Sequence, residues 1–327
     1  MRKKINPVTI PPILTYAHHA HQLAILMSKD KYLSWFYSGY IQLYSYQDNY
    51  EYKIDYYSYN GKYPRFPEIN DNWLKREFFQ RTHGNIVQFL VDIIDEGFYS
   101  EIILDQYFIP GKRLFQIQSK PHQELIYGYD KDKKVFYALG FNKEDFGMYE
   151  ITFENLEKGF YNASWSGVGF FDCTTHIDYS NNNLEFNFPL VKQYIKDYAE
   201  SRNSFMHFNP KESLFGLNTY NYYIQLLADN PKYFNKKDIR PLHIFAEHKH
   251  TMVDRLRFMQ ESGFINNIDK LVEQYIFIER KITNCKYILL RYRINEDEKS
   301  ISKIIESLND VKELEEKILY TLLNIIK

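Results

Sequence analysis

Cysteine is almost missing from this chain: two in 327 residues, Cys173 and Cys285, far apart. Two such residues build no disulfide framework and have no zinc-ribbon spacing, so the fold must rest on its own apolar core. An excess of one charge is missing as well. Lys and Arg number 41 against 42 Asp and Glu, for a net charge of −1. Nucleic-acid binders carry a basic excess or stripe. Here the densest basic run, Lys131, Lys133 and Lys134, is diluted by Asp130 and Asp132 and lies where a turn is expected. That argues against nucleic acid as a partner. No stretch approaches the roughly 18 uncharged apolar residues of a spanning helix. The opening Met1-Arg2-Lys3-Lys4-Ile5-Asn6-Pro7 lacks an apolar secretory segment. The expectation is a cytoplasmic protein without a membrane span. No repeat is visible at periods of about 20 to 50 residues.

What the chain does have is an ordinary 44% of hydrophobic residues, which excludes wholesale disorder, and an unusual 18% of aromatics, with 30 Tyr and 25 Phe. An AT-rich coding sequence accounts for the aromatics alongside so many Lys, Asn and Ile; an aromatic-lined ligand groove is the functional alternative. The length suits two domains.

Periodicity divides the chain. Ala17, Ala20, Leu23, Ala24 and Met27 recur at helical spacing after an extended Pro11-Pro12 entry, and Ile86, Leu90, Ile93 and Ile94 mark a helix over 85–96 that stops at Gly97. Strands are expected at 100–109, 123–129, 135–141 and 148–153. The second and third form a hairpin across 130–134, and a short helix follows at 154–160. Residues 164–183 read as a loop, and the boundary is placed there: an α+β domain over 1–180 and a helical domain over 181–327. Helices are expected at 189–202, 214–228, 239–263, 265–292 and 300–326. The last carries an apolar stripe from Ile301 through Ile304, Leu308 and Val311 to Leu322, which either packs internally or offers a homodimer or partner surface.

His122 is the leading candidate for chemistry. It stands just before a strand whose hairpin partner returns beside it, ending Leu139-Gly140-Phe141-Asn142. A general base needs a neighbour that fixes its tautomer and stabilises the imidazolium. Asn142 is the nearest candidate for that role, with Asp145 next.

The stretch Asp105-Gln106-Tyr107-Phe108-Ile109-Pro110, then Pro121-His122, Ile126-Tyr127-Gly128-Tyr129-Asp130 and Val135-Phe136-Tyr137-Ala138-Leu139-Gly140-Phe141 resembles the butirosin biosynthesis protein H family. The resemblance covers about residues 10–165, and the helical second half is similar in character to that family's C-terminal part. It implies a papain-like, cysteine-peptidase-like N-terminal domain followed by an all-helical domain. It also implies an activity: transfer of an acyl group from a carrier-protein thioester to an amine, in antibiotic or nonribosomal-peptide clusters. The implied partners are an acyl or peptidyl carrier protein bearing a phosphopantetheine thioester and a small-molecule or peptide intermediate; no cofactor is implied.

The chain departs from the family pattern in two places. The family nucleophile is a Cys at the start of the first long helix, where the dipole and a His lower the thiol pKa. Here that stretch is Thr15-Tyr16-Ala17-His18-His19-Ala20-His21, without cysteine, and Cys173 comes too late. Ser28 falls on or beyond the helix end. The family's Asp is also displaced, leaving Asn142.

His18, His19 and His21 are either buried, hydrogen-bonded residues or the lining of a substrate pocket. No carboxylate accompanies them in a metalloenzyme motif, so no metal is assigned. Gln42 is a candidate substrate contact, because amide donors can serve an oxyanion. On the helix over 239–263, His243, Glu247, His250, Asp254 and Arg257 share a face. This is a salt-bridged solvated face, or a surface offering Arg255 or Arg257 to a phosphate or carboxylate. Two functions remain: an acyl-transfer or thioester-handling enzyme with His122 as base, or a catalytically degenerate relative that binds the carrier or a peptide intermediate.

Overall fold

A computed structural model describes residues 1–48, 51–57, 66, 69–143, 145–163, 170–175, 184–205, 213–230, 232 and 234–326. In chain order its elements begin with β1 (Lys3–Ile5), α1 (Ala17–Leu26), α2 (Leu33–Ser38), β2 (Leu43–Asp48), β3 (Glu51–Tyr56), β4 (Asn70–Lys75), α3 (Arg76–Thr82) and α4 (Ile86–Asp95). There follow β5 (Ser100–Asp105), β6 (Pro121–Asp130), β7 (Val135–Phe141), β8 (Phe146–Thr152), α5 (Phe153–Asn162) and β9 (Phe170–Thr175). The C-terminal helices are α6 (Phe188–Ala199), α7 (Asn218–Asp229), α8 (Arg240–Glu261), α9 (Asp269–Asn295) and α10 (Glu298–Ile325). The protein is thus of mixed α and β class. No helix among the described residues is long and apolar enough to cross a membrane.

Two compact units divide the chain, one of Met1–Asp30 with Phe66–Asn183, the other of Lys31–Arg65 with Leu184–Lys327. In the first, an antiparallel sheet runs β4-β9-β5-β6-β7-β8, with β1 added to β6. Strand β6 is the axis. Pro121 to Ile126 pair with β5, and beyond a register shift between Ile126 and Gly128 the strand pairs with β1. Gly128 is required there, because a Cβ would lie 2.8 Å from the Lys4 carbonyl oxygen.

Strand alternation sends successive side chains of β5, β6, β7 and β8 to opposite faces, and each face has its own core. Phe79 of α3, Ile86, Leu90 and Ile94 of α4, and Leu156 and Phe160 of α5 cover Ile102, Leu104, Ile126, Phe136, Ala138 and Ile151. On the other face Ala20, Ala24 and Ile25 of α1 pack with Leu125, Tyr127, Leu139 and Phe146. Burial on both faces explains why β6 reads as a nearly continuous apolar run rather than as alternation. Helix starts follow local capping: the Asn85 side chain accepts from Gln88 N–H, and Thr152 from Asn155 N–H.

Residues 164–183, expected as a loop, contain β9, which pairs with β4 and touches β5. Phe170-Phe171-Asp172-Cys173-Thr174-Thr175 is a run of aromatic and β-favouring residues, and the flanking Gly and Asn residues outweighed it in the sequence reading.

In the second unit the hairpin β2–β3 accompanies the helices, and α8 packs on α9 and α9 on α10. The α10 stripe is internal: Ile304, Leu308, Val311 and Leu322 are fully buried. The reading of that stripe as a dimer surface is therefore corrected, because these side chains are spent on the unit's own core.

Candidate active site

His122 is the second residue of β6, with Leu104 of β5 as its register partner. Its side chain is 31% exposed. The ring Nδ1 lies 2.9 Å from the carbonyl oxygen of Gln123. A carbonyl only accepts, so Nδ1 is the donor, and in the neutral ring Nε2 then presents the lone pair. Phe141 meets the imidazole edge to face at 5.9 Å.

Behind the ring stands Glu124, whose Oε1 is 3.8 Å from His122 Nδ1, an ion-pair rather than a hydrogen-bond distance. Glu124 is buried, and so is Lys112, whose Nζ lies 2.7 Å from the same Oε1. Tyr149 of β8 donates its hydroxyl to Glu124 Oε2 at 2.5 Å. The Lys112 ammonium also donates to the Phe141 carbonyl and stands 4.2 Å from the centre of the Tyr149 ring. Space for the carboxylate comes from Gly140, where a Cβ would fall 2.0 Å from Glu124 Oε2. Burial pulls the Glu124 carboxyl upward, but the Lys112 charge and the His122 imidazole outweigh it and hold the group below its ordinary range. Burial likewise pushes the Lys112 ammonium down, against the opposing pull of Glu124.

Lys112 reaches this pair from the segment between β5 and β6. Asp105 anchors that segment: its carboxylate accepts from the backbone N–H groups of Tyr107 and Lys120, at 3.0 and 2.9 Å, and from the Ser119 hydroxyl at 2.5 Å.

Asn142 does not meet His122. Its Oδ1 accepts from the Asp145 N–H at 2.9 Å and closes the turn between β7 and β8. The Nδ1 of His122 faces the Gln123 carbonyl and the Glu124 carboxylate instead.

The histidines of α1 lie on the other side of the sheet. Glu101 pairs with Leu125, on the face covered by α1, whereas Ile102 pairs with Glu124 and Leu104 with His122, on the face of α4 and α5. His21 is fully buried, with Nδ1 at 3.4 Å from Glu101 Oε2. Neither of its ring nitrogens makes a hydrogen bond among the described residues. His18 stacks on Tyr16 with ring centres 5.4 Å apart and lies 4.3 Å from the ring of His19. The structure therefore does not bring His122 together with His18, His19 or His21. Ser28, past the end of α1, donates to the Ile25 carbonyl.

Gln42 and Arg255 belong to the second unit, and both are interior. Gln42 donates to the Arg202 carbonyl at 2.8 Å and accepts from Leu43 N–H. Arg255 donates to the carbonyls of Tyr37, Gly39 and Tyr40 and to the Met252 sulfur, capping the end of α2. The neighbouring face of α8 is salt-bridged at the surface: His250 lies 3.5 Å from Asp254 and 3.3 Å from Glu279, and Arg257 lies 3.8 Å from Asp254.

Sequence reasoning missed Lys112, Glu124 and Tyr149. One signal was present: a carboxylate immediately before the apolar run Leu125-Ile126-Tyr127, opposite a strand that carries Gly140. No protein-family profile matches the chain, and no curated protein is similar enough to match it.

Proposed function

We propose that the protein is an acyl-transfer or thioester-handling enzyme of secondary-metabolite biosynthesis, of the nonribosomal-peptide or antibiotic kind, acting in the cytoplasm with His122 as general base. The observation that carries this reading is the contact of His122 Nδ1 with the Gln123 carbonyl at 2.9 Å on a part-exposed side chain, which in the neutral ring leaves Nε2 as the lone pair. A base needs that tautomer.

The substrate class rests on the likeness of residues 105–141 to the butirosin biosynthesis protein H family. A sheet with helices on each face and a His at the start of a central strand supports the papain-like reading.

In this mechanism an amine attacks the carbonyl carbon of a phosphopantetheine thioester. His122 Nε2 accepts the amine proton as the C–N bond forms. The C–S bond then breaks, and the leaving thiolate takes the proton back from the imidazolium. No covalent acyl-enzyme is required, which suits a first helix without cysteine.

One observation favours a second reading, a catalytically degenerate relative that binds the carrier protein or a peptide intermediate. His122 shares a strand face with Leu104, whereas α1 packs on the face of Leu125, which favours recognition over a helix-and-base pair. Intact-mass spectrometry of an acyl-loaded carrier protein, with and without an amine acceptor, separates the two. Amine-dependent acyl loss that disappears in His122→Ala supports transfer. Retained carrier binding without acyl loss supports recognition alone.

A further inference from the structure

Asn142 leaves the orienting role beside His122 open, and a buried set of residues occupies the ground behind the ring. Glu124 lies on the same face of β6 as His122, two residues on, with Oε1 at 3.8 Å from Nδ1. Isolated in this interior the carboxyl would take up a proton and lose its attraction for an imidazolium. It is not isolated. Lys112 Nζ at 2.7 Å neutralises one oxygen, and the Tyr149 hydroxyl at 2.5 Å satisfies the other.

The arrangement is specific in shape as well as charge. Gly140 is the only residue type that leaves room for Oε2, since any Cβ would overlap it. The same Lys112 ammonium donates to the Phe141 carbonyl, and its loop is tied down by Asp105. A Lys–Glu pair added for stability alone would do as well elsewhere, because a buried ion pair gains little over a well-packed apolar pair. This one is placed where a positive charge would develop on His122.

We infer that Glu124 is the positioning residue for His122, reinforcing through its charge the Nδ1–H tautomer that the Gln123 carbonyl accepts from and stabilising the imidazolium, and that Lys112 and Tyr149 hold Glu124 ionised and in place. The inference rests on His122 being the working base, and it predicts a property of the resting protein that needs no substrate.

The test is the two-bond ¹H–¹⁵N spectrum of histidine-labelled full chain, which distinguishes Nδ1–H from Nε2–H rings. Wild type is expected to show His122 as the Nδ1–H tautomer. The double variant Lys112→Met/Glu124→Leu removes the charges while keeping buried volume, and Tyr149→Phe removes one hydrogen bond. The double variant is expected to move His122 toward the Nε2–H form, with Tyr149→Phe moving it less in the same direction. Amine-dependent acyl release should fall in the double variant by roughly tenfold to a hundredfold in kcat at little changed KM, a part of the 10²–10⁴ that a positioned base supplies. Folding is checked by circular dichroism and thermal melting. A folded double variant that keeps the wild-type His122 spectrum overturns the inference. If wild type releases no acyl group at all, the proposed reaction fails, and the tautomer spectrum still decides the positioning claim.

Discussion

Lys249 of α8 and Glu315 of α10 meet at 2.5 Å, Nζ to Oε1, with no part of either side chain exposed. The ammonium also donates to the Tyr198 hydroxyl at 3.0 Å and to His248 Nδ1 at 2.9 Å, and Tyr220 donates to the second Glu315 oxygen at 2.9 Å. His248 gives its other ring N–H to the Ile41 carbonyl, which fixes it as a neutral acceptor. Helices α6, α7, α8 and α10 therefore share one polar centre, and Glu315 sits in the same helical row as the apolar Leu308, Val311 and Leu322.

Breaking this pair from one side should be severe. Glu315→Leu or Lys249→Met alone leaves a buried charge without its partner, for an expected loss of about 3–5 kcal/mol. The double change Lys249→Met/Glu315→Leu should recover most of that loss. Urea unfolding measures all three; single variants within 1 kcal/mol of wild type, on the scale of ordinary surface changes, would show that the pair is not a keystone.

The same pair sets an alkaline signature. Burial pushes the Lys249 ammonium down to about 8, against the opposing pull of Glu315. In the unfolded chain a lysine titrates near 10.4. Between those values the unfolded state binds a proton that the native state does not, so this group makes stability rise with pH, by roughly 3 kcal/mol at most. Stability of wild type relative to Lys249→Met/Glu315→Leu should therefore increase from pH 8 to pH 10. A flat or falling difference would contradict the assignment.

Two glycines make separable demands. Gly216 has φ of +56°, and a Cβ there would lie 2.1 Å from the Tyr198 carbonyl oxygen, which is rigid backbone. Gly216→Ala should cost several kcal/mol, at the upper end of the usual range of about 0.5–3 or beyond it. At Gly140 the obstructed atom is the Glu124 carboxylate, and overpacking of this kind typically costs about 1–3 kcal/mol. Thermal melting should rank Gly216→Ala below Gly140→Ala, and only Gly140→Ala should alter the His122 spectrum.

Much of this organisation is legible in the residues. The helical spacing of Ala17 to Met27, the hairpin around 130–134 and the five C-terminal helices follow from periodicity and turn chemistry. The site is only half legible. His122 stands out by its place before a strand, but strand pairing tells which residues lie opposite one another and not which side chain reaches across. Asn142 satisfies the turn next to it, a local hydrogen bond that outcompetes a distant one. Glu124 was hidden because its partner Lys112 comes from a loop with no periodic signal. Gln42 reads as an amide donor to an oxyanion and Arg255 as a contact for a phosphate or carboxylate, but each finds its partners inside the protein. Those partners are backbone carbonyls as far as 218 residues away in sequence, which no local pattern discloses.

If His122 Nε2 accepts the proton of an amine attacking a thioester, chemical rescue of a variant lacking the imidazole reveals it. An acyl-loaded carrier protein and an amine acceptor are incubated with His122→Ala, with and without added imidazole, and acyl loss is followed by intact mass. His122→Ala should be slower than wild type by about 10²–10⁴, the contribution of a positioned base, and imidazole should restore part of the amine-dependent rate. Equal rates for wild type and His122→Ala would contradict that role for His122.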